Sequence, residues 1–269
     1  IGVIYFKFVS FASPVELTIH RTIWTTVLLV FTTFYFGKWS EFKKVSKSLS
    51  TLGLLFLTGV LVSINWFTWL YSISVNNMLD ASLGYYIFPI LSVFLGRIFL
   101  KEKINRNKSI AIFLVFLSII YLLIEFKNIP WIGLTVAITF SFYTLIRKKI
   151  NISSDIGLFF ETLLISPIAL ILFSFLVFNN TNVFGFDNPT FSFYLFFAGF
   201  MTLVPLFMYI KGFELIGIGP ASMIFFLTPT AQFFLSIFYL GQPLEIEKLI
   251  SFLFIWIAVI IYLNELRKE

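Results

Sequence analysis

The 269-residue sequence predicts an all-α polytopic membrane protein, with ten transmembrane helices arranged as two inverted five-helix repeats and the first helix truncated. Three observations predict it. The composition is 59% hydrophobic and 20% aromatic with 12% charged residues, and a mean hydropathy of +0.98 leaves too little polar surface to clothe a water-soluble domain. The chain repeats itself at a shift of 140 residues. Its basic residues also fall in alternate connections, as orientation in a bilayer requires.

A hydrocarbon core of about 30 Å takes about 20 helical residues to cross. Apolar runs of that kind lie at about 15 to 36, 50 to 73, 80 to 100, 109 to 125, 131 to 146, 155 to 178, 191 to 213, 219 to 240 and 248 to 264. They are too long for strands and do not alternate apolar with polar. The connections are short, so no soluble domain is expected. The shift of 140 lays Ala81-Ser82 on Ala221-Ser222, Pro89 on Pro229, Phe94-Leu95 on Phe234-Leu235, Lys108 on Lys248 and Lys7 on Arg147, without a gap. It also places the counterpart of Trp131 before residue 1, so Ile1 to Val9 reads as the remaining half of a first span. The expected halves are residues 1–125 and 131–264, followed by a tail at 265–269.

Five spans per half is an odd number, so the halves enter the membrane in opposite senses. With the connection at 37–48 inside, cytoplasmic positions hold fifteen of the nineteen basic residues, Arg147 among them. Lys7, Lys127 and Lys248 fall outside, and Arg21 lies within a span. The basic KEKINRNK at 101–108 faces a counterpart, GQPLEIEK at 241–248, that keeps one lysine. Both termini are then cytoplasmic. The net charge of +6 follows from this asymmetry and from attraction to anionic lipid, and no nucleic-acid partner is inferred.

The stretch ELTIHRTIW at 16–24 puts Glu16, Arg21 and the single histidine, His20, into the opening of an apolar span. Glu16 suits a helix N-terminus, where the macrodipole favours a carboxylate. His20 and Arg21 lie about 8 and 9 Å below the outer edge. Arginine can snorkel, but residues about 100° apart on a helix cannot both face lipid comfortably, and an ionisable group facing the bundle is a functional candidate. Asn65 and Trp66 reach a similar depth, as do Tyr85 and Tyr86 in the span that Asp80 would cap. Helix-to-helix glue and an aromatic belt are the structural alternatives for them. Together with His20 and Arg21 they are read as the wall of an outward vestibule.

Glu161 lies about 9 Å in from the opposite face and is the shift counterpart of Arg21. It is read as flanking a central site from the other side, with protons as a possible coupling ion through Glu161 or His20. Pro89 and Pro229 fall about 14 Å into their spans, and Pro205 sits inside another. A proline there frees a carbonyl and kinks the helix, which suits a hinge as well as simple packing.

The inverted halves, the LTIHRTIW, FYTLIRKK and FET stretches and above all INWFTWLYSISVNNMLDASLGYYIFPI resemble the RarD-type permeases of the EamA family, in the drug/metabolite transporter superfamily. The resemblance runs through nearly the whole chain. It implies a multi-pass carrier of the bacterial inner membrane, with alternating access around a central cavity and export of a small organic solute, amino-acid-like or drug-like. A membrane scaffold or an intramembrane enzyme are the readings from other classes. One histidine, no cysteine and no paired-carboxylate motif leave little catalytic equipment, and no catalytic residue, cofactor or metal site is assigned. No GxxxxGK[ST] loop is present to couple the chain to ATP.

Overall fold

In a computed structural model of the protein, the structure describes residues 2–102, 104–125, 131–238, 246–266 and 268. Lys103, Lys127 and Arg267, which entered the charge count, lie outside the described residues, as do the end of the expected span at 219–240 and most of GQPLEIEK. The described chain is helical and contains no strand. The helices are α1 (Gly2–Phe8), α2 (Pro14–Tyr35), α3 (Trp39–Ser46), α4 (Leu49–Ser74), α5 (Met78–Leu100), α6 (Arg106–Glu125), α7 (Trp131–Ile150), α8 (Ser154–Phe178), α9 (Pro189–Ile216), α10 (Ile218–Ile224), α11 (Leu227–Phe238) and α12 (Ile246–Leu266). Of these, α2, α4, α8 and α9 are long and apolar enough to cross a membrane, and Gly84–Leu100, Ile218–Ala231 and Leu253–Glu265 are shorter apolar helical stretches.

Local chemistry sets the boundaries. Ser13 caps α2, its hydroxyl accepting from Glu16 N at 3.2 Å, and Pro14 supplies a first helical residue that has no N–H to lose. The helices α2, α4 and α8 end alike, with Gly37, Asn76 and Asn180 in the left-handed region at φ of 64°, 52° and 53°. The next amide in each case reaches back across the turn, as in Lys38 N to Thr33 O at 3.0 Å, and satisfies the helix's last carbonyls. Two features depart from the expected spans. The connection at 37–48 contains the short helix α3, and the run at 219–240 is divided at Phe225–Phe226 into α10 and α11. Pro229 therefore stands in the first turn of α11, where a missing N–H costs no helical bond, whereas Pro89 and Pro205 lie inside α5 and α9. Pro167 inside α8 is a further interior proline. Asp80 falls within the first turn of α5, which begins at Met78.

The shift of 140 reappears in the helix starts. The helices α2, α4, α5 and α6 begin at 14, 49, 78 and 106, and α8, α9, α10 and α12 at 154, 189, 218 and 246. The chain divides into two compact units, residues 1–77 with 146–211 and residues 78–145 with 212–269. Each unit takes helices from both sequence halves.

In the first unit α2 and its counterpart α8 pack antiparallel. Glu16 near the start of α2 meets Val183 and Phe184 just beyond the end of α8, and Lys38 beyond the end of α2 meets Asp155 in the first turn of α8 at 2.6 Å. Between these ends Thr26 Oγ1 lies 3.1 Å from Ser166 Oγ, its own counterpart. Close crossings use glycine: a Cβ on Gly59 would come 2.7 Å from the Glu161 carbonyl, and one on Gly199 would come 2.5 Å from Trp24 Cβ. In the second unit α6 and α12 run antiparallel, with Asn105 and Asn107 donating to Glu265 at 2.8 Å each. Their faces of Ala111, Val115 and Ile119 and of Ile255, Ala258 and Tyr262 share one core. Tyr85 and Tyr86 of α5 meet their counterparts Phe225 and Phe226, with ring centroids 5.5 and 6.4 Å apart. Glu102 after α5 accepts from Ile218 N and Gly219 N at the start of α10, at 2.8 and 3.1 Å.

Candidate functional site

The first turns of α2 carry Glu16, His20 and Trp24 at intervals of four, one above another on a single face. Glu16 is fully buried. Its carboxylate accepts from Val183 N at 2.8 and 3.0 Å and from Phe184 N at 2.9 Å, so it does more than answer the helix dipole: it fixes the connection between α8 and α9. Trp24 Nε1–H donates to His20 Nδ1 at 3.1 Å. An indole nitrogen only donates. His20 Nδ1 is therefore unprotonated, and the ring hydrogen sits on Nε2, 3.8 Å from Glu16 Oε1. Phe173 and Phe184 close over the imidazole at centroid distances of 5.4 and 4.6 Å.

Arg21 turns the other way. Its Nε donates to Thr202 Oγ1 at 2.8 Å, and Cζ lies 4.7 Å from the Phe6 ring centroid and 4.6 Å from that of Trp66. Aromatic faces on a desolvated guanidinium contribute about 2 kcal/mol or more. The side chain is buried and does not snorkel. Asn65, also buried, precedes Trp66 on α4. Of the expected vestibule residues the structure thus brings Arg21 and Trp66 together, with Phe6 as an unforeseen third member, and sends His20 to Glu16. Tyr85 and Tyr86 belong to the second unit, against Phe225 and Phe226.

Glu161 has partners that the sequence reading did not assign. Arg147 Nε lies 3.1 Å from its Oε1, and Thr58 Oγ1 donates to the same oxygen at 2.9 Å. Both charged side chains are buried, so Arg147 is packed in the protein interior. The α7 helix continues to Ile150, four residues past the expected end of its span, and carries it there. The rest of the guanidinium donates to the carbonyls of Ile152, Ser153 and Ser154 at 3.2, 3.0 and 3.3 Å. Room comes from Gly157, whose Cβ would lie 1.9 Å from Arg147 Nη2. A glycine one turn before Glu161 on the same face was the signal available in the sequence.

A cavity of about 300 Å³ opens where the α1–α2 turn, the end of α4 and the α8–α9 connection meet. Phe6, Leu17 and Leu70 give it apolar walls, and Ser13, Ser74 and Thr181 supply hydroxyls. Phe6 joins it to the seat of Arg21. Among the described residues no group of His, Cys, Asp or Glu could hold a metal ion.

Apolar helices of membrane-crossing length with charged side chains buried between them define a multi-pass membrane protein whose polar interior is set within its spans. The model of the EamA-like transporter family matches residues 1–124 and 128–264, and the chain belongs to that family. It is 33% identical to an uncharacterized transporter of Vibrio cholerae over 97% of this chain and 87% of that protein. It is 31% identical to the uncharacterized transporter YojE of Bacillus subtilis, over 96% and 87%. Protein RarD of Escherichia coli is 29% identical over 97% and 88%. A protein of known crystal structure shares the fold at a TM-score of 0.66 with 12% identity, over 100% of this chain and 96% of that one. The chain is accordingly a membrane transporter of the drug/metabolite type.

Proposed function

We propose that the protein is a secondary carrier that exports a small organic solute, amino-acid-like or drug-like, across the bacterial inner membrane by alternating access. In this reading residues 1–125 and 131–264 are inverted five-span halves, ten spans in all, and both termini are cytoplasmic. The antiparallel packing of helices that start 140 residues apart supports the inversion. A residue touching its own counterpart, as Thr26 does Ser166, is what a two-fold relation produces on its axis.

The observation that carries the reading is the seat of Arg21. A buried guanidinium flanked by Phe6 and Trp66 and oriented by Thr202 is costly in an apolar span and suits recognition of a planar or anionic solute group. His20, Asn65, Trp66 and Glu161 complete the proposed solute-binding set of the first unit, Tyr85 is a proposed solute-binding residue of the second, and Pro89, Pro205 and Pro229 are the proposed hinges. The test is a screen of pooled metabolites and small drugs in proteoliposomes holding the purified protein. Saturable flux of at least one solute above protein-free vesicles is expected, and flux of none across a broad pool would overturn the reading.

A further inference from the structure

We infer that the short helix α3 is a binding site for anionic phospholipid, with the headgroup phosphate held by Lys43, Lys44 and Lys47. The inference needs only the membrane placement of the two helices that α3 joins, α2 and α4. It is independent of the solute, of the transport direction and of the inversion of the halves.

The residues of α3, WSEFKKVS, divide at helical spacing into two faces. Trp39, Phe42 and Val45 form the inner one. Phe42 stacks on Phe160 at a centroid distance of 4.4 Å and meets Phe159 at 5.0 Å, while Trp39 meets Phe159 at 6.4 Å. Val45 shares a core with Leu55 and Ile156. The helix is thereby seated on α8 and the start of α4, and this seat fixes where its outer face points. That face carries Ser40, Lys43 and Lys44 and continues to Lys47, all exposed.

The acidic neighbours are engaged elsewhere. Glu41 is half-buried and accepts from Ser153 Oγ in the α7–α8 turn. Asp155 accepts from Lys38 Nζ at 2.6 Å, and Glu161 pairs with Arg147. Among the described residues none forms an ion pair with Lys43, Lys44 or Lys47. The helix dipole favours cations near a C-terminus, which accounts for their position but leaves three neighbouring positive charges uncompensated.

The surroundings decide what compensates them. Phe34, Tyr35 and Phe36 just before α3 and Leu49 just after it are between 64% and 84% exposed. An acidic protein docking from water would meet the lysines and leave this apolar surface bare. A phospholipid answers both, with acyl chains along the aromatic and aliphatic side chains and its phosphate at the ammonium groups. Since α3 links the ends of two membrane-crossing helices, it lies at the level where acyl chains give way to headgroups.

The test is native mass spectrometry of the full-length protein in detergent micelles, titrated with dioleoyl phosphatidylglycerol or dioleoyl phosphatidylcholine. The wild type should bind phosphatidylglycerol about tenfold or more tighter than phosphatidylcholine. The triple variant Lys43→Gln, Lys44→Gln, Lys47→Gln should lose that preference, and the corresponding arginine triple should keep it. Each single glutamine substitution should weaken phosphatidylglycerol binding about fivefold, so the test does not depend on the triple variant folding. Removing three exposed charges from the other basic connection, as Arg97→Gln, Lys101→Gln, Arg106→Gln, should leave the preference in place. A wild type without preference, or equal loss in both neutral triples, would overturn the proposal, the latter by reducing it to net charge. Displacement of the lipid by millimolar inorganic phosphate would also overturn it, because the site would then be one for a free anion. A solute screen without flux leaves these outcomes untouched, so the lipid site and the carrier reading fail separately.

Discussion

At the scale of single residues, Arg147 and Glu161 are an ion pair taken out of water, and such a pair is judged by what happens when one partner goes. Removing either leaves an uncompensated buried charge and costs about 3–5 kcal/mol, whereas replacing both by apolar or neutral groups of similar size is often near neutral. Glu161→Gln is therefore expected to lower the unfolding temperature in detergent strongly, and Arg147→Met added to it should restore most of the loss. A double variant as unstable as the sum of the two singles would contradict the pairing. Gly157→Ala should reproduce the Arg147 loss, because the guanidinium occupies the space its methyl would take. The sequence pointed to Glu161 because a lone carboxylate in an apolar span is conspicuous. It hid Arg147, because a cation heading the run Arg-Lys-Lys reads as the edge of a loop. It also hid the partners of Glu16, which are backbone amides and leave no trace in residue type.

At the scale of elements, the helices under the apolar runs are legible in the sequence to within a few residues, and α2, α4, α8 and α9 are long and apolar enough to cross a membrane. The division of α10 from α11 is not legible there. Gly217, at φ of 89°, and the Pro229 that opens α11 are visible as letters, but where a broken helix resumes depends on packing that the pattern of apolar residues does not encode. The crossings of α4 with α8 and of α9 with α2 depend on Gly59 and Gly199, themselves 140 residues apart, where the opposing atoms include backbone. Backbone cannot rotate out of the way as a flexible side chain can. Gly59→Val and Gly199→Val should each destabilise the protein by about 1–3 kcal/mol, the usual range for overpacking. Thermal unfolding unchanged in both would mean that the helices cross less closely than the structure has them.

At the scale of the whole molecule, the account turns on two halves of opposite sense with one cation seat set within the spans. Single cysteines at Ser46, Asn107 and Asn151 should react with an impermeant thiol reagent only from the cytoplasmic side, and those at Asn77 and Asp187 only from the outside. The chain has no native cysteine to confuse the result, and one reversed position would break the inverted arrangement. The most direct test of the central claim is solute flux through the Arg21 seat, measured in proteoliposomes for wild type, Arg21→Ala and Arg21→Lys at matched protein content and matched thermal stability. The account predicts that Arg21→Ala abolishes flux and that Arg21→Lys recovers little of it for a carboxylate-bearing solute, since a point charge does not reproduce a planar two-toothed contact. Wild-type flux in the alanine variant would contradict it.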